Sequence, residues 1–195
     1  MMQTKLVFAS HNVNKTAEIA KLLPSNWIVN SLNDIGYHSE IIEDGLSLQA
    51  NALIKAQTIF KSTQFNCFAD DTGLMVDALN GNPGVYSARF AGPEKDSKKN
   101  NAKLLGDLKG LENRAAHFST FICLILHGQI HYFEGRMDGH ITQSASGNNG
   151  FGYDPIFMPV GSNRTLAEMS MEEKNTISHR AKAFEKMKLF LEDLK

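Results

Sequence analysis

Most of what would mark this chain as a zinc protein, a secreted protein or a membrane protein is missing from it. It has only two cysteines, Cys67 and Cys123, each inside an apolar stretch, with no CxxC pair and no Cys/His ligand spacing. That pattern argues against a zinc site. Both cysteines read as buried thiols of a reducing compartment, with a disulfide between them as the alternative. The start, Met1-Met2-Gln3-Thr4-Lys5, runs directly into a strand-like segment with no apolar h-region, so the expectation is that it does not act as a signal peptide. No window approaches the ~20 apolar residues of a membrane span. The formal net charge is −1, so no global basic field draws the chain to nucleic acid, and any phosphate-binding charge must be local. Internal repeats, low-complexity tracts and linkers are also lacking. The expectation is a cytoplasmic protein with neither nucleic acid nor membrane as a partner.

What is present is enough for one real core. The chain has 195 residues, 42% of them hydrophobic and 21% charged, which suits a single domain, residues 1–195, with two lobes. Lys5–Ala9 is a short apolar run that predicts a buried strand. A polar turn follows at Ser10-His11-Asn12, and then a helical pattern that ends at Pro24. Trp27–Ser31 reads as a second strand. Ser47–Phe60 reads as a helix with a stripe of Leu48, Ala52, Ala56, Ile59 and Phe60. Phe65–Ala69 predicts a third strand that ends in Asp70-Asp71, with Thr72-Gly73 as a tight turn and Leu74–Val76 continuing beyond it. Asn80–Gly84 is a turn cluster and Lys98–Leu108 a helix. Phe118–Leu126 and Gln129–Glu134 form a hairpin around His127-Gly128. Ser170 with Glu173 is a capping box that starts a helix. A last helix carries Ala181, Phe184, Met187, Leu191 and Leu194. Strands alternating with helices predict an α/β fold, and the hairpin predicts a mixed sheet.

Several local patterns suit chemistry, although each has an ordinary structural alternative. The helix after Ser10 offers unpaired N–H groups that attract anions, and Lys15 lies in its first turn, where the helix dipole normally favours acids. Asp70-Asp71 follows a buried strand, and strand ends in α/β folds open onto ligand sites. Adjacent carboxylates point in different directions, so one can hold a divalent ion while the other fixes the loop; Asp71 is the choice for the ion. Glu40, Glu43 and Asp44 form an acidic cluster that could supply a second ligand. Gly147–Pro155 combines glycines, which admit a close backbone approach, with Phe151, Tyr153 and Asp154. Its rings offer stacking faces for a base. Lys174, Ser178, His179 and Arg180 supply donors, with Lys174 and Ser178 on one face if their helix is continuous. An anion site, a cation site and a flat-ring site together describe a nucleotide.

At this point the chain resembles a known family. Ser10-His11-Asn12-Val13-Asn14-Lys15, Phe68–Leu74, Gly84-Val85-Tyr86-Ser87-Ala88-Arg89, Gly150–Pro155 and Ser178-His179-Arg180 are similar, in order, to motifs of the inosine triphosphate pyrophosphatase (Ham1-like) family. The resemblance implies a mixed central sheet with two α/β lobes around a substrate cleft, as a homodimer. It implies Mg²⁺-dependent conversion of ITP, dITP and XTP to the monophosphate and pyrophosphate, which cleanses the nucleotide pool. Pyrophosphatase action on other modified nucleotides and nucleotide binding without catalysis are the alternatives. By position, the substrate-binding residues implied are Ser10, His11, Asn12, Val13, Asn14, Lys15, Thr72, Phe151, Gly152, Tyr153, Asp154, Lys174, Ser178, His179 and Arg180. Ser10, Asn12 and Lys15 would meet the phosphates, and the residues from Phe151 onward would meet the base. Asp71 would be catalytic and would share the metal with Glu43, with Glu40 behind it. The chain departs from the family pattern at Ile42-Glu43-Asp44-Gly45 and at Ala50-Asn51-Ala52, where one glutamate of each set is replaced.

Overall fold

The computed structural model describes residues 4–11, 16, 19–20 and 23–194. The apolar run at the start becomes strand β1, Thr4–Phe8. It pairs in parallel with β2, Trp27–Asn30, setting Thr4 opposite Trp27 and Val7 opposite Asn30. On its other side it pairs in parallel with β3, Cys67–Val76, setting Phe8 opposite Phe68. Thr16, Ile19 and Ala20 are helical. The chain then forms helix α1, Leu48–Thr63, helix α2, Ser97–Asp107, and the hairpin of β4, Ala115–Leu126, and β5, Gln129–Ile141. His127 and Gly128 turn that hairpin with φ of 48° and 79°, the primed geometry that matches strand twist. Short β6, Phe157–Pro159, pairs antiparallel with the end of β5. Helices α3, Met171–Ile177, and α4, His179–Glu192, close the chain. The sheet has six strands in the order β2-β1-β3-β4-β5-β6, and it is mixed as expected. Among the described residues no helix is long and apolar enough to cross a membrane.

The chain divides into two compact units. The first comprises the described residues of Met1–Asp71, Thr120–Glu134 and Lys182–Lys195. Side chains alternate along its strands, and both strand faces are covered. Leu6, Phe8, Phe68, Ile122 and Leu124 pack with Phe184, Met187 and Leu191 of α4. Val7, Ala9, Cys67, Ala69, Cys123 and Ile125 pack with Ala52, Ala56 and Ile59 of α1. Burial on both faces explains why these strands read as unbroken apolar runs. Phe8 and Phe68 stack with centroids 4.7 Å apart.

The second unit comprises Thr72–Ser119 and Gly135–Ala181. Its core joins Leu74 and Val76 of β3, Leu104 and Leu108 around the end of α2, Phe118 of β4, and Met137 and Ile141 of β5 with Tyr153, Ile156 and Phe157. The Arg114 guanidinium donates to three backbone carbonyls: Ile141 at 2.7 Å, Leu108 at 3.1 Å and Thr142 at 2.7 Å.

The structure corrects two expectations. Thr72-Gly73 is no turn: β3 runs unbroken from Cys67 to Val76. The apolar residues beyond the aspartates, Leu74 and Val76, are drawn into the second unit's core, which keeps the strand extended. The helix bearing Lys174 is not continuous with the last one. Ser178 is extended (φ −65°, ψ 147°), and its hydroxyl accepts the Ala181 N–H at 3.1 Å, which caps the next helix. Lys174 and Ser178 therefore share no continuous helical face.

Candidate active site

In the first unit the chain leaves β1 at Ala9 and enters the segment expected to meet phosphates. Of the residues expected there, Ser10 and His11 are described, whereas Asn12, Val13, Asn14 and Lys15 lie outside the described residues. The Ser10 carbonyl accepts the Leu32 N–H at 3.2 Å. The His11 carbonyl accepts from Asn33 Nδ2 at 3.3 Å. Ser10 and His11 line a cavity of about 240 Å³ with Glu40, Glu43, Lys55 and Asp70. A larger cavity of about 730 Å³ lies beside Lys5, Asn30, Phe60 and His127. It contains none of the expected site residues, so the smaller, carboxylate-lined cavity is the candidate.

Asp71 sits beside this cavity, held from α1. Asn51 is buried; its Nδ2 donates to Asp71 Oδ2 at 3.1 Å, and its Oδ1 accepts the Gly45 N–H at 2.8 Å. A Cβ on Gly45 would stand 2.6 Å from that Oδ1, so glycine is required by the close approach. One turn along α1, Lys55 Nζ donates to Glu43 Oε2 at 2.7 Å and lies 3.6 Å from Asp71 Oδ1. Burial alone would lower the Lys55 pKa. The carboxylates of Asp71, Asp70 and Glu43 outweigh it and hold the ammonium charged, above the ordinary lysine value. Glu43 is thus brought to Asp71 through Lys55, and Glu40 lines the same cavity, whereas Asp44 is exposed.

Sequence reasoning missed Lys55 and Asn51 as site residues. A signal was available: both are polar, stand at i and i+4 on α1, and flank its buried stripe. Among the described residues no group of three or more His, Cys, Asp or Glu could hold a metal by protein ligands alone. The donor set instead fits an ion of the Mg²⁺ type, which takes one or two carboxylates and completes its shell with substrate phosphates and water.

In the second unit the Gly147–Pro155 loop gathers the other expected residues. Gly147, Gly150 and Gly152 take φ of 83°, 75° and 63°. Gly150 has a further reason to lack a side chain, because a Cβ there would strike the Asp154 carboxylate. That carboxylate is buried, accepts the Phe151 N–H at 2.9 Å and is ion-paired to Lys174. The Lys174 ammonium also lies over the Phe151 ring, 4.8 Å from its centroid. Phe151 is 65% exposed, so it offers an open ring face.

Tyr153 does not match its expected role as a second stacking face. It is 4% exposed, packs in the unit's core, and donates its hydroxyl to the Ser87 carbonyl at 2.8 Å. Gly152 offers its carbonyl to Asn101 Nδ2 at 3.1 Å. Ser178 is buried at the helix junction, and His179 is buried with its ring stacked on Phe118 at 4.9 Å. Arg180 is half-buried in the first turn of α4, and Thr72 is half-buried in β3.

Known proteins resemble this chain along nearly its whole length. The model of the Ham1 family matches residues 6–190. The dITP/XTP pyrophosphatase of Flavobacterium johnsoniae is 49% identical, over 94% of this chain and 95% of its own length. That of Bacillus subtilis is 40% identical, over 98% of this chain and 99% of its own. The solved structure of the Staphylococcus aureus Ham1 protein superposes with a TM-score of 0.94 at 36% identity, covering 98% of this chain and all of that one. A nucleoside-triphosphatase / dITP/XTP pyrophosphatase from Mycobacterium abscessus superposes with a TM-score of 0.84 at 44% identity, covering 94% of this chain and 98% of that one.

Proposed function

The chain belongs to the Ham1 family, and on that premise we propose that it hydrolyses ITP, dITP and XTP to the nucleoside monophosphate and pyrophosphate. The observation that carries this reading is the meeting of Glu43 and Asp71 on the Lys55 ammonium, beside a cavity lined by Ser10.

Asp71 orients a water and accepts its proton as the water oxygen bonds to the α-phosphorus. The bond from that phosphorus to the α–β bridging oxygen breaks, and the bridging oxygen leaves with pyrophosphate. Asn51 holds the Asp71 carboxylate in one orientation, so little reorganisation is needed during the reaction. Lys55 remains cationic and offsets charge on the phosphoryl oxygens. Ser10 supplies a hydroxyl to the phosphates, and the family resemblance assigns the same role to Asn12 and Lys15. Mg²⁺ held by Asp71 and Glu43 would neutralise polyphosphate charge. No covalent nucleophile is required.

At the base end, Phe151 offers its exposed face for stacking, while Lys174 and Asp154 form a charged edge. Arg180, half-buried in the first turn of α4, would supply the donor for a 6-oxo group, which hypoxanthine and xanthine present and adenine does not. The proposal includes a homodimer in the cytoplasm, with Mg²⁺ as the ion and no nucleic-acid partner.

The test is to incubate the protein with ITP, XTP, GTP and ATP, with and without Mg²⁺, and to identify the phosphate released. Pyrophosphate from ITP and XTP, dependent on Mg²⁺, supports the proposal. Orthophosphate, or nucleotide binding without turnover, overturns it.

A further inference from the structure

The Gly84–Arg89 motif is left without a role by the chemistry above. It folds as a 3₁₀ helix in the second unit. Its Ser87 is buried, and both of its polar groups are engaged. The hydroxyl accepts the Leu74 N–H at 2.9 Å and donates to the Gly84 carbonyl at 2.6 Å. The carbonyl accepts the Tyr153 hydroxyl at 2.8 Å. The turn is gripped from α2 as well, where Asn100 Nδ2 donates to the Ala88 carbonyl at 3.0 Å and Asn100 Oδ1 accepts the Ala91 N–H at 2.7 Å.

The Gly147–Pro155 loop needs such a fixture. Glycines at positive φ give it little stiffness of its own. Tyr153 stands between Gly152 and Asp154, so its anchorage sets where the Asp154 carboxylate and the Phe151 ring come to rest. Burial raises the Tyr153 pKa, which keeps the phenol protonated as a donor.

We infer that Tyr153 and Ser87 are positioning residues: the phenol-to-carbonyl hydrogen bond ties the glycine-rich loop to the Gly84–Arg89 turn, which the Ser87 hydroxyl fastens to Leu74 of β3, and this anchorage sets affinity and selectivity for the purine base. This inference rests on the proposed assignment of Phe151, Asp154 and Lys174 to the base.

Tyr153→Phe tests it, because the ring stays in the core and only the donor is lost. The KM for ITP should rise about 3- to 10-fold, the effect of one buried hydrogen bond. The preference for ITP over ATP should fall, with kcat within about twofold. A purely structural role would instead reduce turnover of every nucleotide in proportion, with KM and preference unchanged, and that result overturns the inference. Ser87→Ala, which loosens the turn's attachment to Leu74, should give the same KM shift and serves if Tyr153→Phe does not fold. Phe151→Ala, measured in parallel, separates the two levels of the argument. A raised KM in Phe151→Ala with none in Tyr153→Phe refutes the anchorage alone. An unchanged KM in both refutes the base assignment itself.

Discussion

Lys55 Nζ lies 2.7 Å from Glu43 Oε2, placing a cation between two carboxylates that a divalent ion would also seek. Lys55→Met keeps the aliphatic stem and removes the charge. Turnover of ITP should fall by about 10²-fold, the scale of losing one preorganised charge-stabilising group. Pyrophosphate release measured under saturating Mg²⁺ checks this. A near-normal rate removes Lys55 from the chemistry.

Asp71→Asn should abolish turnover and leave the fold intact, because an asparagine oxygen can still accept from Asn51 Nδ2. The loss should be at least about 10³-fold if the carboxylate both holds the ion and takes the proton. Release assays paired with melting curves decide the matter. Retained activity would refute the assignment of Asp71.

Arg180→Ala should erode the preference for ITP over ATP by roughly 10-fold, because a donor to the 6-oxo group is lost. The comparison is kcat/KM for the two nucleotides. Unchanged selectivity would exclude Arg180 from base reading.

Arg114 is a staple of the second unit rather than a site residue. Its guanidinium satisfies carbonyls at the end of α2 and along the exit from β5. Arg114→Ala should cost about 2 kcal/mol, lowering Tm by about 4–8 °C for a chain of this size. The KM for ITP should stay unchanged. A Tm within 1 °C of the parent would contradict the role.

Cys67 and Cys123 sit in the same core cluster, and burial pushes both thiols up to about 12 from an ordinary 9.0. The folded state therefore holds these protons more tightly than the unfolded chain. This contribution to stability is fully present below pH 9 and is lost as pH rises toward 12. Iodoacetamide at pH 8 should leave both thiols unmodified in the folded protein and label both in urea. Labelling of the native protein within minutes would contradict their burial.

Much of the fold was legible because local rules govern it. The run at Lys5–Ala9, the Ser47 start of α1, the hairpin at His127-Gly128 and the Ser170 capping box each follow from periodicity or turn chemistry within a few residues. The extension of β5 beyond Glu134 was overlooked although its pattern carries a signal, since buried Met137 and Ile141 alternate with exposed Arg136, Asp138 and His140, whereas three-residue β6 is too short for a periodic pattern and is defined by its pairing with β5. In the site, Asp71, Glu43, Phe151, Asp154 and Lys174 could be named in advance, but not which of them touch.

By itself, the sequence determined the order of strands and helices, the thiol environment and the residue types able to handle phosphate, cation and ring, since these depend on neighbours along the chain. Tertiary structure alone decided that Lys55 bridges Glu43 and Asp71, that β3 continues through Thr72-Gly73, and that Tyr153 turns inward to Ser87 while Phe151 stays open. Those outcomes depend on contacts between residues far apart in the chain, where burial of apolar side chains and pairing of polar groups outweigh local preference.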